Sequence, residues 1–261
     1  PELMKRFGEF VHSLSGKYIT AEDVGMETAD MDLVREVTPY VTGISEEKGG
    51  AGNPSPITAY GVFMGMKAAA KFKFGTDILE GKKVIVQGIG HVGETLVEHL
   101  VHDGAQVIID DINQERLEAI SKKYGATIYN GDNIYAEDVD IYAPCALGAT
   151  INDATIQTLK AKVIAGAANN QLADEIKHGR LLQEKGIVYA PDFLINAGGI
   201  INVYAELENY GKTEIMRKTE NIYNTTIEIL NNADVNNTTT HQAALNIAQS
   251  RIEARKKENQ Q

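Results

Sequence analysis

Gly88-Ile89-Gly90-His91-Val92-Gly93 is a G-x-G-x-x-G run. In such a run the first glycine permits a tight turn and the second lets backbone approach a pyrophosphate. The third lets a helix pack close on a strand. A helix opening there offers unpaired N–H groups and the positive end of its dipole to phosphates. Asp111 lies 23 residues after Gly88, where a carboxylate can accept hydrogen bonds from an adenosine ribose. A carboxylate there repels a 2′-phosphate, which favours NAD as cofactor. Asp110 is a neighbouring rival for the ribose, and Arg116 keeps NADP open as an alternative.

Other groups are weaker on their own. Asp23, within Thr20-Ala21-Glu22-Asp23-Val24-Gly25, has the chemistry of a general base, but a solvated acidic loop explains it as well. Cys145 lies in Ala143-Pro144-Cys145-Ala146-Leu147-Gly148. A nucleophilic thiol needs an activating partner, and a buried structural thiol is the plainer account. Asn196-Ala197-Gly198-Gly199-Ile200-Ile201-Asn202 is a second glycine turn at a strand end, the edge at which open α/β sheets bind ligands. No H-E-x-x-H, G-x-S-x-G or Walker lysine pattern occurs, and His99 and His102 read as a solvated helix face. Metal-site, serine-hydrolase and nucleotide-triphosphatase readings therefore have no support.

The elements that must position these residues follow from periodicity. Leu3, Phe7, Phe10, Val11 and Leu14 have helical spacing, and Tyr18-Ile19-Thr20 is a short strand candidate. Gly49 to Pro56 concentrates glycine and proline and marks a boundary. A helix is expected over 58–74, stopped by Gly75. Strands then alternate with helices: Lys83–Val86, Gln106–Ile109, Thr127–Tyr129, Asp140–Tyr142, Lys162–Ala165 and Ile187–Tyr189. Helices are expected over 92–101 and from the Asn113 cap to Tyr124, with Gly125 closing the latter. That alternation predicts an α/β fold with a doubly wound, mostly parallel sheet. The tail from about 202 to 255 reads as helical, with residues 231–240 as a polar turn or loop.

The 261 residues carry 25 Lys and Arg against 36 Asp and Glu, a formal charge of −11. Nucleic acid and anionic membranes need a basic face and are excluded as partners. No apolar run approaches the ~20 residues that span a bilayer. Cys145 is the single cysteine, so an intramolecular disulfide and a cysteine-based zinc site are ruled out. A reducing, cytoplasmic location is expected.

Taken in order, these motifs, together with Gly52-Asn53-Pro54-Ser55-Pro56, Ala168-Asn169-Asn170-Gln171-Leu172 and Ala190-Pro191-Asp192, resemble the glutamate/leucine/phenylalanine/valine dehydrogenase family. The likeness runs along nearly the whole chain. It implies NAD-dependent oxidative deamination of an L-amino acid to a 2-oxo acid, with the branched-chain members the nearest match and phenylalanine as an alternative substrate. A non-catalytic NAD-binding module derived from such an enzyme is a second alternative. The resemblance assigns Asp23 as catalytic. To the cofactor it assigns Gly88, Gly90, His91, Val92, Gly93, Asp111, Thr58, Cys145, Ala146 and Asn169. Ala21, Thr42, Asn170, Ile200 and Val203 fall to the substrate. Ile200 and Val203 would leave a second substrate carboxylate desolvated and unpaired, which disfavours glutamate. A homo-oligomer acting on a small-molecule amino acid is implied. So are a partial substrate domain at 1–52, an NAD-binding Rossmann domain at 53–203, and C-terminal helices at 204–261 packing back on the substrate domain. The family also carries two lysines in a glycine-rich segment ahead of the first helix. They have no counterpart in the sequence given, and the substrate domain is expected to lack that segment.

Overall fold

The computed structural model describes residues 1–23, 25–208 and 210–259. Six strands, β1 Lys83–Gln87, β2 Gln106–Asp110, β3 Thr127–Ile128, β4 Ile141–Pro144, β5 Val163–Ile164 and β6 Val188–Tyr189, form one sheet. Its order is β3-β2-β1-β4-β5-β6, and every pairing is parallel. The order reverses between β1 and β4, so the crevice at the carboxyl end of β1 is the switch point at which such sheets bind ligands.

Why β1 forms is plain from its burial. Val84, Ile85 and Val86 are all fully enclosed. Val84 and Val86 pack with Leu96, Leu100 and Ile109 on one face, while Ile85 packs with Tyr142, Ile164 and Leu182 on the other. A strand covered on both faces needs a continuous apolar run.

The helices are α1 Glu2–Ser13, α2 Thr28–Arg35, α3 Ser55–Phe74, α4 His91–His102, α5 Gln114–Tyr124, α6 Thr155–Thr158, α7 Glu175–Glu184, α8 Asp192–Ile195, α9 Gly198–Glu208, α10 Lys212–Val235 and α11 Thr240–Glu258. Local chemistry sets their ends. Asn113 caps α5 by accepting from the Arg116 N–H, and left-handed Gly75 and Gly125 close α3 and α5. Helix α3 carries Gly61 and Gly65 where Ile195 presses on it; a Cβ at Gly65 would lie 2.2 Å from the Ile195 side chain.

Four expectations are corrected. The 196–202 segment is no turn at a strand end: α8 intervenes after β6, and Gly198–Asn202 opens α9. His99 is no solvated face residue, because its ring packs on Phe63 at 5.4 Å and Tyr60 at 5.6 Å. Tyr18-Ile19-Thr20 is not a strand. Thr20 makes a single parallel bridge with Val41, held by Thr20 N–H to Tyr40 O at 3.1 Å and Thr42 N–H to Thr20 O at 2.8 Å. Tyr18 and Ile19 stay exposed, with no packing to extend the pairing. Residues 231–235 are helical rather than loop, and the turn is confined to 236–239. Leu230 and Ala233 are buried there, Ala233 against Ala243 and Ala244 of α11. Tertiary packing overrides the weak helix propensity of the asparagines.

Helix α10 lies along α3, and its Ile222 and Leu230 share the core of β1 and α4. Among the contacts from α9 and α10 to residues 1–52, Glu206 of α9 meets the N–H groups of Gly43 and Ala51, and Lys212 of α10 meets Glu46.

Candidate active site

The loop between β1 and α4 is built by close approach. Gly88 has φ +96°, and its N–H donates to Asp110 O at 2.7 Å. A Cβ on Gly88 would sit 2.6 Å from the Ala146 Cβ, and one on Gly93 would sit 2.0 Å from Gly88 O. Gly90 caps α4 in extended conformation, and a Cβ there would meet nothing within 4 Å. Backbone packing thus requires two of the three glycines, while the third borders open space in front of the α4 N-terminus. A pyrophosphate fits that arrangement. His91 is exposed at the same end, and Val92 turns inward against the core.

Strand alternation separates the two aspartates. The Asp110 carboxylate accepts from Gln87 Nε2 at 3.2 Å, and Gln87 Oε1 accepts from the Tyr142 hydroxyl at 2.6 Å. Burial holds the Tyr142 phenol well above its ordinary range. Asp111 instead turns to the glycine loop, accepting from Ile89 N–H at 2.8 Å through Oδ2 and from Asn113 N–H at 2.9 Å through Oδ1. Each of its oxygens keeps a lone pair for a further donor. Arg116 is exposed in the first turn of α5.

The loops after β4, β5 and β6 gather at the same sheet edge. Cys145 Sγ accepts from Ala167 N–H at 3.4 Å, and burial pushes the thiol up to about 12. It is neutral at ordinary pH and no thiolate nucleophile. Ala146 lies on Gly88, and Gly148 stands against the Asn169 and Asn170 carbonyls. Asn170 adopts φ +54° and its carbonyl accepts from Ala149 N–H. Asn169 Oδ1 accepts from Asn196 Nδ2 at 2.6 Å. Thr58, on the first turns of α3, donates to Pro54 O, and its Oγ1 lies 2.8 Å from the Cβ position of Gly199. Thr58, the start of α9 with Asn196 before it, and Asn169 therefore form one chain of contacts, although far apart in sequence.

The substrate candidates converge less completely. Thr42 is buried, with its hydroxyl 3.4 Å from Thr20 O. The Cβ position of Gly43 touches Glu22, beside Ala21, at 3.4 Å and Val203 Cγ1 at 3.9 Å. Ala21, Thr42 and Val203 thus belong to one neighbourhood. Ile200, one turn earlier on the same face of α9, is 68% exposed. Asp23 is exposed two residues beyond Ala21, and its carbonyl accepts from Met26 N–H. Val24, part of the quoted motif, lies outside the described residues.

Sequence reasoning missed three polar groups that organise these loops. Gln171 is fully buried; its N–H donates to Asp192 Oδ2 at 2.9 Å, and its amide nitrogen donates to Gly166 O and Ala168 O. Asp192, 6% exposed, also accepts from Phe193 N–H. Glu206 ties α9 to residues 43 and 51. Gln171 and Asp192 stood inside quoted motifs directly after strands, which was the available signal; Glu206 offered none. Among the described residues no cluster of His, Cys, Asp or Glu is arranged to hold a metal ion, and no helix is long and apolar enough to cross a membrane.

The chain is 51% identical over 255 residues to leucine dehydrogenase of Thermoactinomyces intermedius, covering 98% of this chain and 69% of that one. It is 52% identical over 252 residues to leucine dehydrogenase of Bacillus subtilis (strain 168), covering 97% and 69%. The crystal structure of L-tryptophan dehydrogenase from Nostoc punctiforme superposes with a TM-score of 0.84 at 41% identity, over 98% of this chain and 73% of that one. The sequence profile of glutamate/leucine/phenylalanine/valine dehydrogenases matches residues 49–113 and 109–259. A glycine loop at the switch point of a parallel sheet and half-identity along nearly the whole length lead to one conclusion: the chain belongs to the glutamate/leucine/phenylalanine/valine dehydrogenase family.

Proposed function

We propose that this protein catalyses the NAD-dependent oxidative deamination of a branched-chain L-amino acid of the leucine type, yielding the 2-oxo acid, ammonia and NADH. The observation that carries this reading is the neighbourhood of Ala21, Thr42 and Val203, on the same helix that meets Thr58 at Gly199. In this reading it would form an apolar side-chain pocket beside a nicotinamide held at Thr58. The relatives at 51% and 52% identity are leucine dehydrogenases. A glutamate side chain would bring a carboxylate to the apolar Ile200 and Val203, neither of which can pair with it.

Bound NAD supplies the hydride acceptor. The backbone of 88–93 and the α4 N-terminus would hold the pyrophosphate, with His91 and Val92 flanking it, and Asp111 the ribose. Thr58, Cys145, Ala146 and Asn169 would line the remainder of the cofactor cleft. Asn170 would hold the substrate beside it. Asp23 takes the proton leaving the amino group and returns one as ammonia departs, the role of a carboxylate general base. In this reading residues 1–52 belong to the substrate side, 53–203 to the NAD side, and the helices of 204–261 brace both. A homo-oligomeric assembly and a cytoplasmic location belong to the same reading.

The test is the formation of NADH from NAD with L-leucine, compared with L-phenylalanine and L-glutamate. Leucine should lead and glutamate should give nothing. NADH binding without turnover on any of them would leave only the non-catalytic NAD-binding module.

A further inference from the structure

We propose that Glu206 is a positioning residue that sets the width of the substrate side-chain pocket, an inference that rests on the substrate side assigned above. One oxygen of its carboxylate, Oε1, accepts from Gly43 N–H at 2.9 Å and from Ala51 N–H at 2.7 Å. Residues 43 and 51 are the two ends of a loop closed on itself by Gly50 N–H to Ser45 O and Gly52 N–H to Ile44 O. A single oxygen on α9 therefore fastens the neck of that loop.

What the neck carries gives the contact its meaning. Thr42 directly precedes Gly43, and Val203 is three residues before Glu206, so Val203 and Glu206 share a face of α9. Val203 Cγ1 lies 3.9 Å from the Cβ position of Gly43, and Glu22, beside Ala21, lies 3.4 Å from it. The two hydrogen bonds thus fix one wall, Ala21 and Thr42, against the other, Val203. On its far side the loop is held by Ser45 N–H to Asp32 Oδ1 at 3.0 Å and by the Lys48–Asp32 ion pair at 3.4 Å. Those contacts anchor it to α2 and leave its distance from α9 to Glu206. The Lys212–Glu46 pair also spans the gap, but both side chains are mostly exposed, and such pairs contribute little. Hydrogen bonds to an ionised acceptor are the stronger kind.

Glu206→Ala and Glu206→Gln separate positioning from bulk stability, because the glutamine oxygen can still accept both N–H groups. Amide hydrogen exchange at Gly43 and Ala51 and the leucine-to-phenylalanine ratio of kcat/KM are read on the 261-residue chain. Glu206→Ala should lose protection at both amides, and its ratio should fall about tenfold, the scale of a hydrophobic pocket that no longer fits. Glu206→Gln should keep both the protection and the ratio. Equal loss on both substrates in Glu206→Ala, an unchanged ratio, or a Glu206→Gln variant that behaves like the alanine would overturn the proposal. A wild-type chain that oxidises neither amino acid counts against the proposed function alone. Exchange then decides: unchanged protection at Gly43 and Ala51 in Glu206→Ala overturns the tie, and joint loss upholds it.

Discussion

Substituting alanine at Gly90 and at Gly93 should damage the protein in opposite ways. At Gly93 the new methyl carbon would sit 2.0 Å from Gly88 O, and ordinary C···O contact begins near ~3.3 Å. The start of α4 must therefore retreat by about 1.3 Å from a backbone oxygen that cannot rotate away. Overpacking of this kind costs about 1–3 kcal/mol, or roughly 2–12 °C in Tm for a chain of this size. At Gly90 the methyl meets nothing within 4 Å, and φ of −61° suits alanine. The loss there is that of a poorer N-cap, about 1 kcal/mol or less. The same methyl fills the space in front of the α4 amides and would keep a pyrophosphate from them. Losing two charge-assisted hydrogen bonds, at about 1.5–3 kcal/mol each, weakens NADH binding by at least about a hundredfold. Calorimetric melting and fluorescence titration with NADH read the two effects separately. Wild-type NADH affinity in Gly90→Ala would refute the placement of the pyrophosphate. A Gly90→Ala variant that melts as low as Gly93→Ala would refute the packing argument.

Three further outcomes are expected. Asp111→Asn should weaken NADH about tenfold and narrow its advantage over NADPH, because the repelling carboxylate is gone; equal titration curves for mutant and wild type would remove Asp111 from the ribose. Burial holds the Cys145 thiol at about 12, against an unfolded value near ~8.5. The folded state therefore keeps a proton that the unfolded state loses, so this stabilisation is complete below about pH 8.5 and fades as pH rises toward 12. Between about pH 9 and 11 the wild type should lose more Tm than Cys145→Ala; parallel melting profiles would count against the buried thiol. Asp192→Ala strands the buried Gln171 N–H and should cost about 2–4 kcal/mol in urea unfolding, with a loss under about 1 kcal/mol contradicting the network.

What the sequence made legible was local. The glycine turn and its flanking strands read correctly because turn, strand and helix lie within one stretch of chain and each residue type has a single physical reason. The parallel character of the sheet followed from continuous apolar runs such as Val84–Val86. The choice between Asp110 and Asp111 needed the side-chain parity of β2, which depends on its register with β1. Contacts between distant segments could not be read. Thr58 meets Gly199 only because α3 packs on α8 and α9, and Glu206 reaches Gly43 and Ala51 across more than 150 positions. The two overdrawn elements failed for opposite reasons. Tyr18-Ile19-Thr20 had strand chemistry but a partner for one residue alone, whereas the asparagines at 231 and 232 had loop chemistry but neighbours that packed as helix.

The sheet ends at both sides in strands of two residues each, β3 and β6. A border this brief offers an incoming strand hardly one rung of hydrogen bonds, and proteins commonly shield themselves from edge-to-edge polymerisation in this way. The long central strands, which would make the best templates, are enclosed on both sides. Copies of this chain therefore gain little by pairing along the borders of this sheet. Concentrated solutions should resist fibril growth for as long as the sheet stays folded.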